Sequence, residues 1–139
     1  FLNYEYRDPK RMIDEVHGLN AHMMIKKKDE KYEDLVPYKE MVEKLRFYHD
    51  HGAKIILFTS RNMNSYNGNI GLINKSTAKV LLSWLDKWEI PYDEILYGKP
   101  WPGHKGFYVD DRTVRPDEFL NCSVDELNEI CNKSRELSN

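Results

Sequence analysis

From about residue 32 to its end the chain alternates segments of helical and strand-like periodicity, which predicts an α/β fold built on a parallel sheet flanked by helices. Two observations carry the prediction. The stretch AKIILFT, residues 53–59, holds an unbroken apolar run from Ile55 to Phe58, as expected of a strand buried on both faces. On either side of it, apolar residues recur at helical spacing, and shorter strand-like runs return at IPYDEILYG and GFYVDD. A chain of 139 residues fits one domain, which buries roughly two-thirds of the surface its unfolded form exposes.

Residues 11–20 read RMIDEVHGLN. Met12, Val16, Leu19 and Met23 follow i, i+4, i+7 and i+11, with Ile13 and Met24 flanking the same face, whereas alternation of period two sets Asp14 beside Met12 and Val16. Asp8-Pro9 supplies an N-cap followed by proline at the first helical position, and only Gly18 counts against a helix, at ~1 kcal/mol relative to Ala. A helix is therefore expected. It leaves the sheet without its middle strand unless another segment inserts there, so a strand stays open as the alternative.

The basic run Lys26-Lys27-Lys28 meets Asp29, Glu30, Glu33 and Asp34 at once and reads as a solvated, self-neutralising linker. Pro37 suits a first helical turn; Met41, Leu45 and Tyr48 recur at helical spacing up to Gly52, a good residue just past a helix end. After the strand comes SRNMNSYNGNIGLIN, about fifteen polar residues where ~4 to 6 is the usual connection. Asn74 or Ser76 then caps a helix whose stripe runs Val80, Leu81, Trp84, Leu85 and Trp88, with the tryptophans in the core. IPYDEILYG and GFYVDD supply strands. SVDELNEICNKSREL closes the chain as a helix, with a capping box from Ser123 to Glu126 and a stripe of Leu127, Ile130, Cys131 and Leu137.

Composition excludes several classes. Lys plus Arg number 21 against 23 Asp plus Glu, and the net charge of -2 gives no bulk attraction to nucleic acid or to an anionic membrane. No run of 18 apolar residues and no basic-then-apolar leader occurs, so a soluble, cytoplasmic protein with no membrane partner is expected. Cys122 and Cys131 lack the spacing of a zinc site or disulfide framework and read as packed, reduced thiols. Phe1 in place of an initiating Met leaves an upstream segment open. Oligomeric state is also open, a homo-oligomer included.

In a doubly wound sheet, side chains at the carboxyl ends of neighbouring strands converge on one crevice. Thr59, Ser60 and Arg61 close the first strong strand, Lys99 follows EILYG, and Asp110 with Asp111 ends GFYVDD. A hydroxyl, an ammonium and paired carboxylates can serve as phosphate donor, charge clamp and Mg²⁺ ligands. Each piece has a plainer reading: Asp-Asp as a turn or helix cap, a lysine before proline as a solvated side chain, Thr-Ser as backbone caps. Their ordered recurrence favours a phosphate site and a small phosphorylated ligand. Arg61, Asn62, Asn69, Trp101, His104 and Arg115 can recognise the rest of that ligand, or merely cap and order the loops that hold them.

The segments KIILFTSRN, YNGNIGLIN and IPYDEILYGKPWPGHKGFYVDDRTVRPDEF together resemble the haloacid dehalogenase superfamily of phosphatases, and within it the small capsule-biosynthesis phosphatase-like members. The resemblance runs from about Tyr32 to Phe119, with residues 1–31 a divergent N-terminal segment of a single domain spanning 1–139. It implies a three-layer Rossmann-like fold without a large cap domain. It also implies that Thr59, with Ser60 beside it, and Lys99 hold the transferring phosphoryl group while Asp110 and Asp111 help bind Mg²⁺. The family's first motif, Asp-x-Asp-Gly-Thr, uses one aspartate as nucleophile and the next as general acid. Aligned on Gly18, this chain has Glu15-Val16-His17-Gly18-Leu19, with Glu15 and His17 as poor replacements for the aspartates. The added methylene of Glu15 displaces the nucleophile by about 1.5 Å, where ~1 Å of misplacement can cost about a hundredfold. A catalytically impaired, ligand-binding phosphatase-like protein is expected; the alternative is a working Mg²⁺-dependent phosphomonoesterase on a sugar or alditol phosphate in capsule or polysaccharide biosynthesis.

Overall fold

The computed structural model describes residues 11–14 and 31–136. A parallel sheet and helices make a mixed α/β fold, as the alternating periodicity predicts. Strand β1 is Arg11–Asp14, β2 is Lys54–Thr59 and β3 is Glu94–Tyr97; they are hydrogen-bonded in the order β1-β2-β3, both pairs parallel. A short 3-10 turn at Tyr32–Asp34 precedes helix α1, Lys39–Asp50, and α2 spans Ile70–Lys87. Helices α3, Pro116–Asn121, and α4, Val124–Glu136, follow. The chain forms two compact units, residues 1–101, which hold the sheet, and residues 102–139, which hold α3 and α4. No helix among the described residues is long and apolar enough to cross a membrane.

Strand β2 is the middle of the described sheet because its residues can be buried on both faces: Ile55, Ile56 and Leu57 are all fully enclosed. Helix α1 packs near β2 through the buried Met41, Val42, Leu45 and Tyr48. Helix α2 packs near β3 and the 3-10 turn, burying Ile73, Leu81, Trp84 and Leu85. The Trp84 indole N–H donates to the Leu35 carbonyl at 2.8 Å, so a large apolar ring is buried with its one donor satisfied. At the amino end of β3, Asp93 adds a rung to the ladder. Its backbone N–H donates to the Ile55 carbonyl, and its carboxylate accepts from the Ile55 N–H, each at 2.8 Å.

Four expectations are corrected. Residues 11–14 form a strand, in register from Arg11 opposite Lys54 to Asp14 opposite Leu57, where helical periodicity favours a helix. A period of 3.6 in a short apolar run does not decide against a strand when an apolar neighbour offers a complete hydrogen-bond ladder. Helix α2 starts at Ile70, four or more residues before the expected caps, because Asn69 accepts a hydrogen bond from the Leu72 N–H at 3.1 Å. Pro37 stands one residue before the N-cap Tyr38 of α1, outside the first turn. No strand forms in GFYVDD: residues 106–110 have no ladder partner among the described residues, and Phe107 and Val109 are 80% and 89% exposed. Alternating apolar residues supply a face to bury, but a strand also needs a neighbour for its N–H and C=O groups.

Candidate functional site

The carboxyl end of β2 is built by three consecutive buried polar residues, Thr59, Ser60 and Arg61, and Thr59 has no exposed surface. The backbone N–H of Arg61 donates to Thr59 Oγ1 at 3.0 Å. With its oxygen accepting there, the Thr59 hydroxyl retains its O–H as a donor. Strand β3 lies alongside with Tyr97 opposite Thr59, and one step further the Lys99 N–H donates to the Thr59 carbonyl at 3.0 Å. That bond ties the lysine loop directly to the strand carrying the hydroxyl. The Lys99 ammonium lies 5.8 Å from the centre of the Phe58 ring, within cation–π range, so it is held near the same strand end. The β2–β3 ladder thus sets the backbones of Thr59 and Lys99 side by side, with Ser60 next to Thr59 in the chain.

The connection after β2 is a compact series of turns. Asn62, Asn67 and Gly68 have positive φ, and backbone bonds run from Met63 to Ser60, Tyr66 to Asn62, Gly68 to Met63 and Asn69 to Tyr66. Asn62 donates from Nδ2 to the buried Thr77 Oγ1 at 2.6 Å, clamping the loop to α2. Asn62 and Asn69 thus use their side chains to order the loop and to start the helix. Trp101, the last residue of the first unit, is half-buried.

In the second unit His104, Asp110 and Asp111 are exposed. Asp110 Oδ1 accepts from the Arg112 N–H at 2.9 Å and the Asp110 carbonyl accepts from the Thr113 hydroxyl at 3.4 Å, a local turn of the kind aspartates favour. The Arg115 N–H donates to the Glu118 carboxylate at 2.8 Å at the start of α3. Hard carboxylate oxygens match Mg²⁺, which takes one or two carboxylates and keeps several waters. Asp110 has an oxygen beyond the one accepting from Arg112, and both aspartates face water, so their chemistry fits that ion. Among the described residues no group of three or more His, Cys, Asp or Glu side chains is gathered around one point.

Glu15 and His17 lie outside the described residues. Sequence reasoning passed over two strand-terminal positions. Asp14 is the last residue of β1, two rungs short of the position opposite Thr59; the available signal was a carboxylate following Met12-Ile13. Tyr97 is the last residue of β3, and its hydroxyl is shielded from solvent with no hydrogen-bond partner among the described residues. Burial, with Tyr92 nearby, raises its pKa above that of an ordinary tyrosine, while the Arg61 cation works in the opposite direction. An aromatic residue in a strand gives no hint of such a neighbour from sequence.

The crystal structure of an MCSG target from Vibrio cholerae is similar to this chain at 43% identity and a TM-score of 0.82, over 89% of this chain and 98% of that one. The chain belongs to the same family as that Vibrio cholerae protein. No family model and no curated protein matches it.

Proposed function

We propose that the chain is a phosphatase-like protein of the haloacid dehalogenase type, three-layered and without a large cap, that holds the phosphoryl group of a small phosphorylated molecule at the carboxyl edge of its sheet. The observation that carries this is the hydrogen bond from the Lys99 N–H to the Thr59 carbonyl, which sets a cation and a hydroxyl donor on adjoining strand ends. A charge-assisted contact from Lys99 and an O–H donation from Thr59 suit a phosphoryl oxygen each. Asp110 and Asp111, whose carboxylate oxygens match a hard cation, would hold Mg²⁺. Catalysis is impaired on this reading, because Glu15 and His17 replace the two aspartates of the first motif.

A second reading is favoured by one placement: β1 ends on a carboxylate residue, Asp14, beside the strand that carries Thr59. The chain is then a working Mg²⁺-dependent phosphomonoesterase on a sugar or alditol phosphate, with Asp14 rather than Glu15 as nucleophile. The Asp14 carboxylate forms an O–P bond as the ester P–O bond breaks, the leaving oxygen takes up a proton, and water then hydrolyses the acyl phosphate.

One set of measurements separates the readings. Inorganic phosphate or vanadate is expected to raise the melting temperature, by linkage, and Lys99→Ala to remove the effect. No shift in the wild-type protein overturns the binding site. Hydrolysis of an aryl phosphate with Mg²⁺ that is lost in Asp14→Asn and kept in Glu15→Gln establishes the second reading; absent turnover with binding intact supports the first.

A further inference from the structure

The connection after β2 contains the one Asn-Gly pair in the sequence, Asn67-Gly68, and Asn67 is exposed. Such a pair carries its own chemistry. The backbone nitrogen of the second residue attacks the asparagine Cγ; the new N–C bond closes a succinimide as the bond from Cγ to the side-chain nitrogen breaks and ammonia leaves. Water then opens the ring to aspartate or isoaspartate. Glycine has no side chain to obstruct the attack. The attacking nitrogen must shed its proton and reach Cγ, and the folded loop opposes both. The Gly68 N–H donates to the Met63 carbonyl at 2.9 Å, which keeps that nitrogen protonated. A Cβ on Gly68 would lie 3.8 Å from Met63 Cε, so the Met63 side chain also lies against this glycine. Asn67 and Gly68 both have positive φ, +52° and +73°, between a bond from the Asn67 N–H to the Asn64 carbonyl at 3.4 Å and one from the Asn69 N–H to the Tyr66 carbonyl at 3.0 Å. The loop is clamped to α2 where Asn62 Nδ2 donates to the buried Thr77 Oγ1 at 2.6 Å.

We infer that Asn67 is a modification site, deamidating spontaneously in a reaction gated by this loop: closed while the Gly68 N–H is on the Met63 carbonyl, and opened when the clamp between Asn62 and Thr77 releases. The rate then follows the population of the open loop, as amide exchange does. The products put a carboxylate, and in the isoaspartyl form an extra backbone atom, between Tyr66 and the α2 cap Asn69. None of this depends on the phosphoryl reading.

Peptide mapping by mass spectrometry, after incubation at mildly alkaline pH, reads the aspartyl and isoaspartyl products at Asn67. The folded wild-type protein is expected to deamidate there at least about tenfold more slowly than the same protein in urea. Thr77→Val, which removes the clamp's acceptor at nearly constant volume, is expected to quicken the reaction in the folded protein about five- to tenfold, the change in open population that goes with one lost hydrogen bond, and to leave the rate in urea unchanged. Asn67 left intact in urea overturns the site. Equal rates in folded and urea-unfolded protein overturn the gate, as does a folded Thr77→Val protein that deamidates no faster than wild type. Where Thr77→Val does not fold, Asn62→Gly, which tolerates the positive φ and removes the clamp's donor, is expected to give the same quickening, and an unchanged rate there is equally fatal.

Discussion

Gly98 separates Tyr97, the end of β3, from Lys99, and its backbone has φ of +88°. A Cβ there would lie 2.7 Å from Ile70 Cδ1, the flexible tip of an exposed side chain at the start of α2 that can move aside, so it is the conformation that demands glycine. Gly98→Ala is expected to destabilise by about 1–3 kcal/mol, from a strained left-handed backbone and a displaced Ile70, seen as a lower urea midpoint at unchanged slope. It should also weaken phosphate, because the Lys99 N–H is set by that turn. At this scale the placement of Thr59, Ser60 and Lys99 at or just past strand ends was legible, because it follows from the strand boundaries alone. Arg61 was legible as a charged residue and not as a buried one, since nothing in SRN indicates which side of the turn its guanidinium takes. Tyr97 gave no signal, because its distinguishing feature is a buried hydroxyl without a hydrogen-bond partner among the described residues, which is a property of its neighbours.

Among the elements, helix starts set by local chemistry were the easiest to read. Glu126 accepts from the Ser123 N–H at 2.8 Å and the Glu126 N–H donates to Ser123 Oγ at 3.2 Å, the reciprocal box expected from the Ser123 to Glu126 spacing. The Ser123 N–H, and after it the Ser123 hydroxyl, hold the Glu126 carboxyl below its ordinary value of 4.5. Since the folded pKa is depressed, the cap's contribution is present above the ordinary value and is lost as pH falls through the lowered one. Amide exchange in the first turn of α4 is expected to quicken over that acidic window, and Glu126→Gln, which keeps a capping acceptor, to remove the pH dependence. The start of α2 was misplaced because three asparagines and a serine, Asn67, Asn69, Asn74 and Ser76, are all competent caps in sequence. The buried Ile73 and the Asn69 bond choose among them. β1 was harder still: RMID offers four residues whose partner lies forty-three positions on, at Lys54 to Leu57.

In the unit of residues 1–101, long-range polar clips join what apolar burial assembles. Arg46 of α1 donates to the Trp88 carbonyl at 2.9 Å and to the Glu89 carbonyl at 3.0 and 3.2 Å, closing the carboxyl end of α2, where Glu89 itself has φ of +52°. Arg46→Ala is expected to cost about 1.5–3 kcal/mol, the range for bonds to a charged donor, read as a lower denaturation midpoint with phosphate affinity little changed. The sequence by itself determined the α/β class, the strand buried on both faces, the two long helices and the final capped helix. Those features depend on composition and periodicity within a few turns of chain. Tertiary structure decided that 11–14 is a strand, that Asn69 starts α2 and that Arg61 turns inward. It also decided that GFYVDD stays outside the described sheet, because each of these depends on whether a distant segment supplies a hydrogen-bond partner or a covering side chain, which no local pattern encodes.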